Sequence, residues 1–339
     1  MLFREGDLIE TIEGIVFDVK GLVHPPDRVI AFPRFIPTLD GTRSRGASRY
    51  GKVYSLPERF IFLQQNAPEL IIRDPVFDEI LCEVPLARIK RHYQPTQKLK
   101  KMRSRKEQKN LEAKALQLAV SLKNETNIPW KTIGFSGSLL VGLQTPISDI
   151  DPIIYGSENC RKAYNALQKM FKKTDSEFKP YSQEELRGLF DFRSKDTAMS
   201  FEDFVKVESR KAFQGKYAGT DYFIRFVREW DEISDKYGEV RYKNSGYAKI
   251  EATIADASEA LFTPCTYRIE NVEVTEGPKI KTIQEIVSFR GRFCEQAKKG
   301  EAIIAQAKVE KVTDTRNMHE WHRLILGNQA SDYMILSNS

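Results

Sequence analysis

The stretch Ile133-Gly134-Phe135-Ser136-Gly137-Ser138-Leu139-Leu140-Val141-Gly142, followed closely by Ser148-Asp149-Ile150-Asp151, constrains this chain more than any other. An apolar strand that gives way to small residues and then to a short apolar helix aims backbone N–H groups at one point, which suits an anion. Ser138 adds a hydroxyl there, beside Ser136 and Gly137. If the acidic segment continues as a strand, Asp149 and Asp151 at i and i+2 project from one face and can share a cation. Short carboxylates on a strand suit Mg²⁺, which demands near-octahedral oxygen ligation and keeps several waters. A Gly-Ser turn or an Asp-x-Asp alone is common; the two together in this order carry the reading.

Around this segment the chain divides by pattern. Residues 1–95 alternate β-like runs (Ile15–Val19, Val29–Phe32) with Gly and Pro and hold one helical candidate after Ser55, which reads as a small α+β domain. Between Asp40 and Lys52, Arg43, Arg45, Arg49 and Lys52 stand in a stretch without apolar pattern, either a mobile phosphate-contacting arm or a solvated loop. Residues 96–125 are expected to form a basic connector. There Leu111, Ala115, Leu116, Ala119 and Leu122 recur at helical steps, so one amphipathic helix is predicted from Lys98 to about Lys123. Residues 126–238 read as an α/β unit, with helices at Ser157–Phe171, Ser182–Phe190 and Ser200–Phe213 and a strand at Tyr222–Val227. In residues 239–339, runs at Ala248–Ile254, Thr266–Val274, Glu285–Cys294, Ala302–Val312 and Trp321–Leu326 predict a small β-barrel, OB-like in character.

With 339 residues, several domains are expected, and a 41% hydrophobic share is enough to bury cores. No apolar run is long enough for a membrane span and the first residues lack the apolar core of a signal peptide, so no membrane partner and a cytoplasmic location are expected. Cys82, Cys160, Cys265 and Cys294 lie far apart and read as core thiols. The net charge of +6 favours an anionic partner such as a nucleotide or nucleic acid.

Gly137-Ser138, the gap and Asp149-Ile150-Asp151 together resemble the signature of the nucleotidyltransferase superfamily of the DNA polymerase beta type. That resemblance implies a polymerase beta-like domain flanked by the N-terminal α+β domain and the barrel, an overall α+β chain. It implies that Gly137 and Ser138 hold triphosphate oxygens, that Asp149 and Asp151 bind two Mg²⁺ or Mn²⁺ ions, and that a third carboxylate on a later strand completes the site. Asp221, which opens an apolar strand, is the first choice for that third residue and Glu251 the second. Pro152 departs from the pattern, since proline cannot donate to a sheet ladder. The whole chain also resembles a group of archaeal predicted nucleotidyltransferases sharing the segments His24-Pro25-Pro26-Asp27-Arg28-Val29-Ile30 and Phe289-Arg290-Gly291-Arg292-Phe293-Cys294.

The expected reaction is therefore transfer of a nucleoside monophosphate from an NTP, ATP among them, to a hydroxyl of RNA, tRNA or another structured RNA, with release of pyrophosphate. A protein acceptor and a non-catalytic RNA-binding or NTP-sensing module are the alternatives. Arg225, Lys216 and Arg28 are candidate phosphate or acceptor contacts, each also explicable as surface charge or, for Arg28, as part of a rigid Pro-Pro turn. Phe289, Arg290, Arg292 and Phe293 could stack bases on a barrel strand or simply pack in the core. His319 and His322 lack further ligands nearby, so no metal site is expected there.

Overall fold

In the computed structural model, which describes residues 2–108, 110–196 and 198–337, the chain is a mixed α+β protein with a closed five-stranded β-barrel in its C-terminal region. It divides into two compact units, residues 1–72, 80–180 and 212–234 in the first and 73–79, 181–211 and 235–339 in the second.

The first unit begins with β1 (Leu8–Thr11), β2 (Val16–Val19), β3 (Arg28–Pro37), β4 (Arg43–Arg45) and β5 (Ser48–Lys52). Helix α1 (Leu56–Asn66) starts at Ser55, whose hydroxyl accepts from Glu58 N–H while Glu58 reaches back to Ser55 N–H, a complete capping box. After β6 (Ile71–Asp74) come β7 (Glu79–Pro85) and β8 (Ile89–Tyr93). The antiparallel order is β4-β5-β3-β2-β1-β8, with β7 also on β3. The basic stretch expected as a mobile arm or solvated loop is thus a β4–β5 hairpin turning at Gly46, φ +60°. Its arginines explain why: Arg45 donates to Glu10, Tyr50, Tyr93 and the Val141 carbonyl, and Arg43 to the Leu143 carbonyl at 2.6 Å.

The single connector helix is instead two, α2 (Pro95–Ser104) and α3 (Leu111–Thr126). The Gln108 amide donates to the Met102 and Arg105 carbonyls and ends α2, and Asn110 takes φ +48°. The basic run is largely solvated, with Lys98 and Arg105 both paired to Glu112. Next come β9 (Ile133–Phe135), the short α4 (Gly137–Val141), β10 (Pro152–Tyr155) and α5 (Ser157–Met170). The strand β11 (Phe178–Lys179) precedes α6 (Gln183–Arg193) and α7 (Phe201–Glu208), which belong to the second unit rather than to the α/β segment. The chain then returns with β12 (Gln214–Tyr217), β13 (Thr220–Phe223) and β14 (Arg225–Val227). β10 lies between β9, antiparallel, and β14, parallel. Pro152 opens β10, the strand position that tolerates a missing donor.

The expected boundaries near residues 95 and 125 fall inside this first unit. Leu8, Val16, Phe35 and Tyr50 of the N-terminal sheet form one core cluster with Leu140, Val141 and Leu143 around α4. Burying such side chains contributes roughly 1.5–3 kcal/mol each, enough to fix the N-terminal sheet against the Gly-Ser segment.

The second unit carries β15 (Val240–Asp256), β16 (Cys265–Glu276), β17 (Ile283–Ser288), β18 (Ala302–Asp314), β19 (His319–Leu326) and β20 (Tyr333–Leu336). The order β15-β16-β17-β19-β18 closes through β15–β18 pairing, with β17 and β19 parallel and β20 added on β18. The Phe289–Cys294 segment is not strand: β17 stops at Ser288, whose hydroxyl accepts from Arg290 N–H, and Gly291–Phe293 forms a 3₁₀ turn. Phe293 is buried there and its carbonyl accepts from Tyr267, so this ring packs rather than stacks bases. Among the described residues no helix is long and apolar enough to cross a membrane.

Candidate functional site

Gly137 brings the two motifs together. It sits at φ +60°, and a Cβ built there would lie 1.9 Å from Asp151 Oδ2, so no other residue fits between the turn and this carboxylate. Ser136 N–H donates to the Asp151 carbonyl at 2.8 Å, fixing the same approach through the backbone. The hydroxyl of Ser136, expected to contact a nucleotide, is instead donated to the Gly6 carbonyl at 2.6 Å. Ser138 is buried and its Oγ has no hydrogen-bond partner.

Ile150 bridges Tyr222 in parallel register, its N–H donating to the Asp221 carbonyl and its carbonyl accepting from Phe223 N–H. The same register sets Ile153 beside Arg225. Asp149, Asp151 and Ile153 therefore share one sheet face with Asp221, Phe223 and Arg225. On that face Gly6 covers Ile153: a Cβ on Gly6 would sit 2.0 Å from Ile153 Cδ1. Neither Asp149 nor Asp151 takes a side-chain hydrogen bond or ion pair among the described residues. Burial, and then the charge of Asp149, push the Asp151 carboxyl up to about 7, against the pull of Lys52, Arg225 and Arg34.

Asp221 is half exposed and directs its carboxylate to Lys216 at 3.2 Å. Glu251 lies on β15 of the second unit, exposed and in register with Glu273. Among the described residues no three acidic, histidine or cysteine side chains gather as a metal cluster. Arg225 is paired to Glu5 at 3.0 Å, and Arg28 lies 3.8 Å from the exposed Asp27. His24 serves its own turn, Nδ1 accepting from Ile30 N–H and Nε2 donating to the Phe3 carbonyl. His322 meets Thr282, and His319 stacks on Trp321.

Several residues around the carboxylates had no signal in the sequence. Glu5 is fully buried and accepts from Lys20, Arg225 and the Gly21 N–H. Asp18 pairs with Lys20 at 2.8 Å; burial pushes it up, but Lys20, Arg225, Arg59 and Arg34 outweigh that and hold its carboxyl well below the usual range. These groups come from β2 and β3 and from the loops beside them, remote in sequence from Asp151.

The chain is 33% identical over 336 residues to an uncharacterized protein of Methanocaldococcus jannaschii, an alignment covering 96% of each chain. No protein-family profile matches it. No solved structure matches it.

Proposed function

We propose that this chain, which belongs to the family of that Methanocaldococcus jannaschii protein, transfers a nucleoside monophosphate from an NTP to a hydroxyl acceptor, RNA in the first instance. One observation carries the reading: Gly137 lies so close to Asp151 that the Gly-Ser turn and the acidic pair form a single site. A triphosphate held at the turn then has its oxygens beside the carboxylates.

The donor set fits a divalent cation. Asp149 and Asp151 accept nothing from protein donors, and the buried Oγ of Ser138 has no partner, as expected of groups that serve a cation and a phosphate oxygen. With Asp151 near 7, a cation displaces the proton shared by the pair and keeps both carboxylates ionised. Bound Mg²⁺ or Mn²⁺, held by Asp149 and Asp151, supplies charge neutralisation at the phosphates and on the departing pyrophosphate. The chain's own part is orientation. Gly137 and Ser138 fix the phosphate oxygens, and the sheet face carrying Asp149 and Asp151 also carries Asp221, the reading's proton acceptor for the attacking hydroxyl once it leaves Lys216. The barrel's strand order, with its third and fifth strands parallel, is that of an OB-type barrel, a fold that holds single-stranded nucleic acid and so favours an RNA acceptor.

The pairing of Asp221 with Lys216 favours a second reading, a non-catalytic NTP-binding module. Incubation of each α-labelled NTP with Mg²⁺ or Mn²⁺ and total RNA and protein separates the two. Label in RNA that vanishes in Asp149→Asn/Asp151→Asn establishes transfer, and label in protein moves the acceptor. No label above the mutant, with NTP binding intact, leaves the binding module.

A further inference from the structure

The cations around Asp151 are not equivalent. Arg225 and Lys20 are neutralised by Glu5 and Asp18. Arg43 and Arg45 are consumed by the carbonyls, hydroxyls and carboxylate that lock the β4–β5 hairpin to the chain around α4. Two remain. Lys52, the last residue of β5, and Arg34, in β3, have no ion-pair partner among the described residues; Arg34 spends one N–H on the Val53 carbonyl at 3.3 Å. Both lie over the Tyr54 ring, Lys52 Nζ at 4.5 Å and the Arg34 guanidinium at 5.2 Å from its centroid, and that ring is 46% exposed. An unpaired cation is ordinarily left where solvent or an anion meets it, and an exposed aromatic ring between two cations offers a planar platform beside them.

We infer that Lys52 and Arg34 form the anion subsite for the substrate's phosphate chain and that the Tyr54 ring carries its base, so that the N-terminal sheet supplies substrate recognition for the carboxylate pair. This deepens the nucleotidyl-transfer reading and rests on it. The substrate class that satisfies all three groups is a nucleoside triphosphate with an unpaired base: charge for the cations, a π-face for the ring, and no demand for a particular base edge.

Binding of ATP and of inorganic triphosphate to the full chain, each with Mg²⁺, measured by titration calorimetry, tests it. Lys52→Met is expected to weaken both ligands about tenfold, as for loss of one charge-assisted contact, while Lys52→Arg stays within about twofold of wild type. Tyr54→Leu is expected to weaken ATP about fivefold and to leave inorganic triphosphate unchanged, since only the nucleoside meets the ring. Unchanged affinity in Lys52→Met while the wild type binds ATP overturns this inference alone. Equal losses for both ligands in Tyr54→Leu remove the ring's role. Wild-type protein that binds neither ligand overturns the nucleotidyl-transfer reading with it.

Discussion

Two buried charge clusters, one in each unit, are built on opposite principles. In the second unit Lys211 is fully enclosed, and its ammonium donates to Glu208 at 2.6 Å, the Arg292 carbonyl at 2.6 Å and Gln296 at 2.8 Å, while Arg193 takes the other oxygen of Glu208. Every donor of Lys211 is matched. Burial still pulls its ammonium below the usual lysine range, with Glu208 opposing. In the first unit Asp149 and Asp151 stand side by side without a donor between them. A satisfied cluster holds a fold together, whereas two like charges left without donors cost stability and are kept where chemistry needs them.

The largest expected effect separates the two. Lys211→Met strands the Glu208 carboxylate and is expected to lower stability by about 3 kcal/mol in urea unfolding, the usual cost of breaking one side of a buried pair. Asp151→Asn, which removes a like charge, should leave the unfolding midpoint unchanged or higher while transfer is lost. A midpoint for Asp151→Asn that falls as far as that of Lys211→Met would make the acidic pair a structural anchor and erase the contrast.

A finer test uses two glycines of the same helix. Gly137 and Gly142 both take left-handed backbone, φ +60° and +71°, but a Cβ on Gly142 meets nothing within 4 Å whereas one on Gly137 meets Asp151. Gly142→Ala is therefore expected to cost only backbone strain, about 1 kcal/mol. Gly137→Ala adds a collision and should cost about 2 kcal/mol, with transfer reduced about a hundredfold as Asp151 is displaced. Equal losses of activity in the two variants would show that the Gly137–Asp151 contact has no catalytic weight.

The site's local half was legible in the chain because its logic is local. A strand, a Gly-Ser turn and an i, i+2 acidic pair lie within a few turns of chain, and their periodicity alone places Asp149 and Asp151 on one face. The barrel was legible for the same reason, since its alternating runs needed no partner to be recognised, although Phe289–Cys294 was read as strand because aromatic and basic residues alternate there just as they do on one. What distance in sequence hides is which remote groups arrive. Nothing in Phe3-Arg4-Glu5-Gly6 announces that Glu5 will be buried against Arg225, or that Gly6 will cover Ile153. The hairpin at Arg43–Lys52 has no apolar alternation because its outer strand is held by guanidinium hydrogen bonds rather than by a hydrophobic face. The break between α2 and α3 depends on one side chain, Gln108, finding two carbonyls, and helical periodicity continues straight across it.

The smallest effect concerns a satisfied group in the first unit, and it checks that satisfaction rather than charge is what stabilises there. Burial holds His24 down to about 4, the Phe3 carbonyl only partly opposing, because its Nδ1 accepts the Ile30 N–H and must stay unprotonated. In the unfolded chain the same imidazole titrates near its ordinary value of about 6.5. Above that value neither state binds the proton and the full stability is present. As pH falls from about 6.5 toward 4, the unfolded state takes up the proton first, so stability drops, by about 2 kcal/mol once the ring's partial exposure is discounted. Urea unfolding at pH 7 and pH 4.5 measures it against His24→Gln, which cannot titrate and should lose correspondingly less between the two. An identical acid loss in the variant would mean that other groups carry the pH dependence and that the His24 turn tolerates the charged ring.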